Sequence, residues 1–196
     1  TEADGEGKLA DVTISMFGQL LALGLVPFLL LTIAAPDAFV LVFGSPWREA
    51  GEYVRWLALW VLFLFMSSPL SSIYMIAGKQ KLLLAVNLVL LSSRFISLVV
   101  GGRSGSAMLT IALYGVTGTL FYLMNLLVIM RLARVSFSHV YAMLYRHIFN
   151  SLIYVTPVLV FFYFSRNDVS RLLIVMVSFG LFLFRKSHLF LLRPVK

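Results

Sequence analysis

The sequence predicts an all-α integral membrane protein, a polytopic bundle of about six transmembrane helices. Three observations predict it. Of 196 residues, 61% are hydrophobic and 12% charged, whereas soluble domains run at about 45–50% and about 25%. The mean hydropathy is +0.97. The charges also cluster between long uncharged runs, and one crossing helix needs ~20 mostly apolar residues. Together these exclude a disordered chain, a coiled coil and an ordinary soluble enzyme.

Each element follows from the spacing of charges. Asp11 and Asp37 enclose 25 uncharged residues; a first helix is expected over Met16 to Ala35, with a kink at Pro27. A short apolar piece, Ala38 to Phe43, leads to a stop at Gly44, and Ser45-Pro46 suits a helix N-cap and first position. Arg55 to Lys79 leaves 23 residues for a second helix starting near Tyr53. Within it lies Ser67-Ser68-Pro69-Leu70-Ser71-Ser72. Pro69 removes a helical hydrogen bond, serines can re-satisfy the freed carbonyls, and a bend at mid-membrane is expected, making Pro69 the hinge candidate. The third helix runs from Lys81 to Val100, interrupted by Arg94. Arg103 to Arg131 leaves 27 residues for a fourth, and Arg146 to Arg166 leaves 19 for a fifth containing Pro157. The link from Arg131 to His147 is basic and partly amphipathic, suited to the membrane surface. Arg171 to Arg185 leaves only 13 residues for a sixth helix. That is ~20 Å, short of a ~30 Å hydrocarbon core. It crosses only if flanking cations snorkel or the bilayer thins; a half-inserted hairpin is the alternative.

Charge sets the expected orientation. Alternating crossings place ten of the 16 Lys and Arg on the side of the N-terminus and five on the other, with Arg94 at depth. The positive-inside rule makes the richer side cytoplasmic. Both termini are then expected in the cytoplasm, and the Gly44 to Arg48 turn outside. This distribution accounts for the net charge of +8 without nucleic acid as a partner. Tyr53, Trp56 and Trp60 suit an aromatic belt near the outer surface. The absence of Cys removes disulfides and thiolate chemistry. The leader is acidic (Glu2, Asp4, Glu6, Asp11), unlike a signal peptide, and a start at Thr1 fits either a processed protein or a piece of a longer one.

No catalytic constellation is legible. All eight acidic residues are expected in the leader or the outer loops, whereas proton relays and cation sites commonly need carboxylates at depth. His139, His147 and His188 have no acidic partner at metal spacing, so neither a metal nor a cofactor is expected. Arg94 is the sharpest feature. It lies ~20 Å along its helix from Lys81, where a charge is costly and usually faces a bundle interior or a watery cavity. Asn87 and Ser97 fall at i−7 and i+3, so the three form a polar stripe: a cavity wall for an anionic substrate, or an arginine that snorkels past Gly101. Gly115, Gly118, Tyr122 and Asn125 share one side of the fourth helix, as close packing requires, with Asn125 also a candidate for substrate contact. Lys79 and Lys81 mark a turn that either orients the chain or binds an anionic headgroup.

The stretch from Leu41 to Gly101, about 60 residues, carries a resemblance. Its pieces are Phe43-Gly44, Trp47 and Ala50-Gly51; the Ser68-Pro69-Leu70-Ser71 segment; the Gly78-Lys79-Gln80-Lys81 turn; and the next helix with Asn87 and Arg94. In that order it resembles the C-terminal half of bacterial polysaccharide-biosynthesis flippases, the Wzx-type O-antigen exporters of the multidrug/oligosaccharidyl-lipid/polysaccharide (MOP, MATE-like) superfamily. The resemblance implies a two-lobe fold with a central cavity. It implies movement of undecaprenyl-diphosphate-linked oligosaccharide across the cytoplasmic membrane for lipopolysaccharide or other polysaccharide assembly. Residues 1–12 would be a cytoplasmic leader, 13–131 four helices of the C-terminal lobe, 132–147 the basic link, and 148–196 an extra hairpin with a basic tail. A missing N-terminal lobe or a partner subunit would complete the transporter. Three other readings stay open: a MOP-type exporter of another cargo, a non-transporting structural membrane subunit, and a glycosyltransferase or ligase using Glu49 and Glu52, which also suit a helix first turn.

Overall fold

A computed structural model describes residues 2–165 and 168–191, with side chains over 7–165 and 169–186. Arg166, Arg193 and Lys196 lie outside the described residues, as do the side chains of Glu2, Asp4, Glu6 and His188. Every element in the described residues is helical: α1 (Glu2–Phe43), a 3-10 turn (Ser45–Trp47), α2 (Arg48–Leu70), α3 (Ser72–Ile76), α4 (Gln80–Arg103), α5 (Ala107–Leu132), α6 (Phe137–Phe164) and α7 (Asp168–Leu191). Among the described residues five spans are long and apolar enough to cross a membrane: 7–43, 45–76, 80–103, 107–132 and 137–164. The chain is thus a multi-pass membrane protein by its helices.

Most helices run beyond the limits that charge spacing predicts. The first continues through Pro27, Pro36 and Asp37 to Phe43, so Ala38 to Phe43 is its last turns and not a separate piece. Pro36 has no N–H for the carbonyl of Thr32. Arg55 of α2 replaces it: Nε donates to Thr32 O at 3.1 Å and Nη2 to Ile33 O at 3.3 Å. One turn earlier Gly51 lies against the same defect; a Cβ there would sit 2.4 Å from Pro36 Cα. The defect in α1 and the two residues that accommodate it therefore define the α1–α2 contact. Pro46 sits inside the 3-10 turn, and α2 starts at Arg48 rather than near Tyr53.

The expected mid-membrane bend at Pro69 takes another form. α2 ends at Leu70, Ser71 intervenes and α3 follows, so the break lies about two turns from the Gly78 turn, near the end of the span. Ser71 Oγ donates to Ser68 O at 2.7 Å and Ser72 Oγ to Pro69 O at 3.2 Å; these serines bond carbonyls at the break, not the Phe65 carbonyl that Pro69 leaves without a donor. Gly78, at φ +65°, then reverses the chain, with Lys79 N donating to Tyr74 O at 2.7 Å in the pattern of a left-handed C-terminal cap. The basic link shrinks to residues 133–136, because 137–147 form the first three turns of α6. α7 is 24 residues long, ~36 Å, since Arg171 and Arg185 lie within the helix instead of bounding it.

α1 lies at the centre, with α2 on one side and α6 and α7 on the other; α5 packs on α2, and α4 on α5. One core joins Phe17 and Leu21 of α1 to Leu62 and Met66 of α2 and Ile129 and Met130 of α5. A second joins Val26 and Leu30 to Val158 of α6 and Phe182 of α7. α4 is peripheral. It buries only Ser97 and Gly101 and exposes Leu88, Leu91, Phe95 and Leu98.

Candidate functional site

Arg94 sits 14 residues into α4, ~21 Å from its start. It turns neither to a carboxylate nor along the helix to its end. Its guanidinium lies between two rings, 4.6 Å from the Trp60 centroid on α2 and 4.3 Å from that of Tyr114 on α5. Those rings meet edge to face at 5.3 Å. The box brings together residues of three helices that stand 20 to 54 positions apart in the sequence. Two small residues make room for it. A Cβ on Gly118 would lie 2.6 Å from the Trp60 ring, and one on Gly115 would lie 2.4 Å from Trp56 O. Arg94 remains half-buried, and no ion pair engages it among the described residues. Trp60 Nε1 is buried with no hydrogen-bond partner among them. The ring faces attract the cation without neutralising it, so the site presents one positive charge, while the Trp60 N–H is buried against Gly118. Trp60 thus belongs to this box rather than to a simple surface belt, while Trp56 stays exposed.

The other sequence candidates divide. Ser97 is buried one turn from Arg94 and shares a hydrogen bond with Thr117 Oγ1 at 3.1 Å; it fastens α4 to α5. Asn87 is exposed on α4, two turns from the box, so the expected stripe does not converge on one wall. Asn125 is 7% exposed and engaged on both ends of its amide. It accepts from Tyr74 Oη at 2.7 Å and donates to Ser67 Oγ at 2.6 Å. This triad bridges α2, α3 and α5, the packing role open to Asn125. Asn125→Ala is expected to lower stability by about 1–2 kcal/mol, because a buried hydroxyl loses its acceptor. A thermal midpoint in detergent measures it; an unchanged midpoint would contradict a structural triad. Lys79 caps the start of α4, and Lys79 and Lys81 are both exposed at that turn. Glu49 accepts from Tyr53 Oη, and Glu52 pairs with Arg55 at 2.9 Å.

One ionic centre lies where no acidic residue was expected. Asp37 is inside α1 and 4% exposed. Its Oδ1 accepts from Arg48 Nη2 at 3.0 Å and Oδ2 from Arg171 Nη1 at 3.3 Å. Arg171 also donates to Ser165 O at 2.8 Å and Phe162 O at 3.2 Å, at the end of α6. The carboxylate therefore joins α1, the start of α2 and the α6–α7 turn. The sequence signal was available: Asp37 stands between Ala34-Ala35-Pro36 and the apolar run to Phe43, a strange place for an unpaired charge. Its partners were not, since Arg171 is 134 residues away. No protein family, curated protein or solved structure matches the chain.

Proposed function

We propose that this chain is part of a membrane transporter that flips lipid-linked oligosaccharide, carried on undecaprenyl diphosphate, across the cytoplasmic membrane for polysaccharide or O-antigen biosynthesis. The observation that carries the reading is Arg94: a half-buried guanidinium at membrane depth, oriented by Trp60 and Tyr114 and without a carboxylate partner among the described residues. A cation so placed is costly unless it meets an anion during function. The resemblance over Leu41 to Gly101 supplies the cargo class, and the missing N-terminal lobe or a partner subunit supplies the facing wall. The exposed apolar face of α4 suits membrane lipids or that second lobe. Lys79 and Lys81 are headgroup candidates at the cytoplasmic end in this reading.

Arg94→Ala in the native protein, expressed in its source cell, is expected to cut surface polysaccharide ~10-fold or more at unchanged protein abundance, the cost of one charge-assisted contact. Arg94→Lys is expected to fall between, keeping the charge and losing the planar stack. Normal export by Arg94→Ala overturns the assignment. A structural subunit is the second reading, favoured by the engagement of Asn125, Gly115 and Gly118 in packing. It predicts normal export from Arg94→Ala and impaired assembly from Asn125→Ala.

A further inference from the structure

A second cationic centre lies on the opposite side of α1 from Arg94. α1, α6 and α7 enclose an open cavity of about 330 Å³, at the small end of ligand sites. Leu21, Leu25 and Val26 form its α1 wall, with Phe182 across from them. Arg146 and His147 enter from α6 and Arg185 and Lys186 from α7. Asn150, Ser151 and Tyr154 complete the α6 face at helical spacing. Arg185 Nη1 lies 3.4 Å from Tyr154 Oη, both in the cavity lining. Among the described residues no carboxylate lines it.

Arg146, Asn150 and Arg185 are exposed, so a headgroup can reach them, while Leu21, Leu25 and Val26 of the wall lie in the uncharged stretch of α1. Two arginines lining one cavity with an apolar wall suit a shared anion that itself resides in the membrane. A phosphate on a lipid meets all of these conditions: its oxygens accept from the guanidinium forks and from Asn150 and Tyr154, while its chains run along the apolar wall.

We propose that this cavity binds the phosphate headgroup of an anionic membrane lipid, gripped between Arg146 and Arg185. The inference stands apart from the transport reading, because the site lies across α1 from Arg94 and needs no second lobe. The test is native mass spectrometry of the full chain, with phosphatidylglycerol, phosphatidylcholine or inorganic phosphate added to the detergent. The expected result is retention of phosphatidylglycerol over phosphatidylcholine by ~10-fold, lost in the double variant Arg146→Gln/Arg185→Gln and kept in Lys8→Gln/Arg103→Gln, whose exposed side chains lie outside the cavity. Equal retention of the two lipids by the wild-type chain overturns the proposal whether or not the variants fold. So does equal phosphatidylglycerol retention in both double variants. Binding of inorganic phosphate without lipid preference overturns the lipid source and leaves an ordinary anion site.

Discussion

Asp37→Ala is expected to destabilise the bundle by about 3 kcal/mol, because it removes a buried carboxylate that two arginines share. The asymmetry of exposure sets the order of the series. The Asp37 side chain is 6% exposed and Arg171 23%, while Arg48 is 48% exposed. Arg48→Ala removes a half-solvated partner and is expected to cost ~1 kcal/mol or less. Arg171→Ala also strips donors from Ser165 O and Phe162 O, so it should fall close to Asp37→Ala. Thermal midpoints in one detergent give the ranking. Equal losses for Asp37→Ala and Arg48→Ala would show that the carboxylate is not the hub of α1, α2 and the α6–α7 turn.

Gly51→Ala is expected to lose about 3 kcal/mol, the upper end of overpacking costs. The added Cβ would meet Pro36 Cα at 2.4 Å and Ala35 O at 2.7 Å. Both are backbone atoms, so no rotamer change relieves the clash, and α1 and α2 must separate. Separation also draws Arg55 away from Thr32 O and Ile33 O and reopens the gap left by Pro36. Gly180→Ala is the control: nothing lies within 4 Å of its added Cβ, and a helix-interior Gly→Ala change is favourable by roughly 0.5–1 kcal/mol. If both variants shift the midpoint alike, close backbone approach at Gly51 is not what holds the two helices.

Helices could be found along the chain because runs of apolar residues are local facts. Their ends could not, and the errors share a cause. Counting between charges assumes that a charge ends a span. Asp37, Arg171 and Arg185 each break that assumption, because a charge with a partner or a polar cavity costs less than a solitary one, and the partners sit on other helices. The non-helical link before α6 is shorter than charge spacing predicts for the related reason that 137–147 have helix-compatible residues regardless of their charge. Among candidate site residues, Arg94 was legible from its depth alone. Trp60 and Tyr114, which orient it, were not legible as its partners, and Asn125 could be placed on the packing side of α5 but not matched to Tyr74 and Ser67.

The sequence by itself determined that this chain is a multi-pass, all-helical membrane protein and singled out Arg94 within its third apolar run. Composition and periodicity suffice for that, since burial of apolar surface and internal hydrogen bonding of the backbone are satisfied within each segment. The tertiary structure alone decided which helices meet, that Arg55 and Gly51 accommodate Pro36, that Asp37 joins two arginines, and that Arg146 and Arg185 face one cavity. Each depends on contacts between residues distant in the chain, and the free energy of a buried charge or an orphaned carbonyl is set by the neighbour it finds.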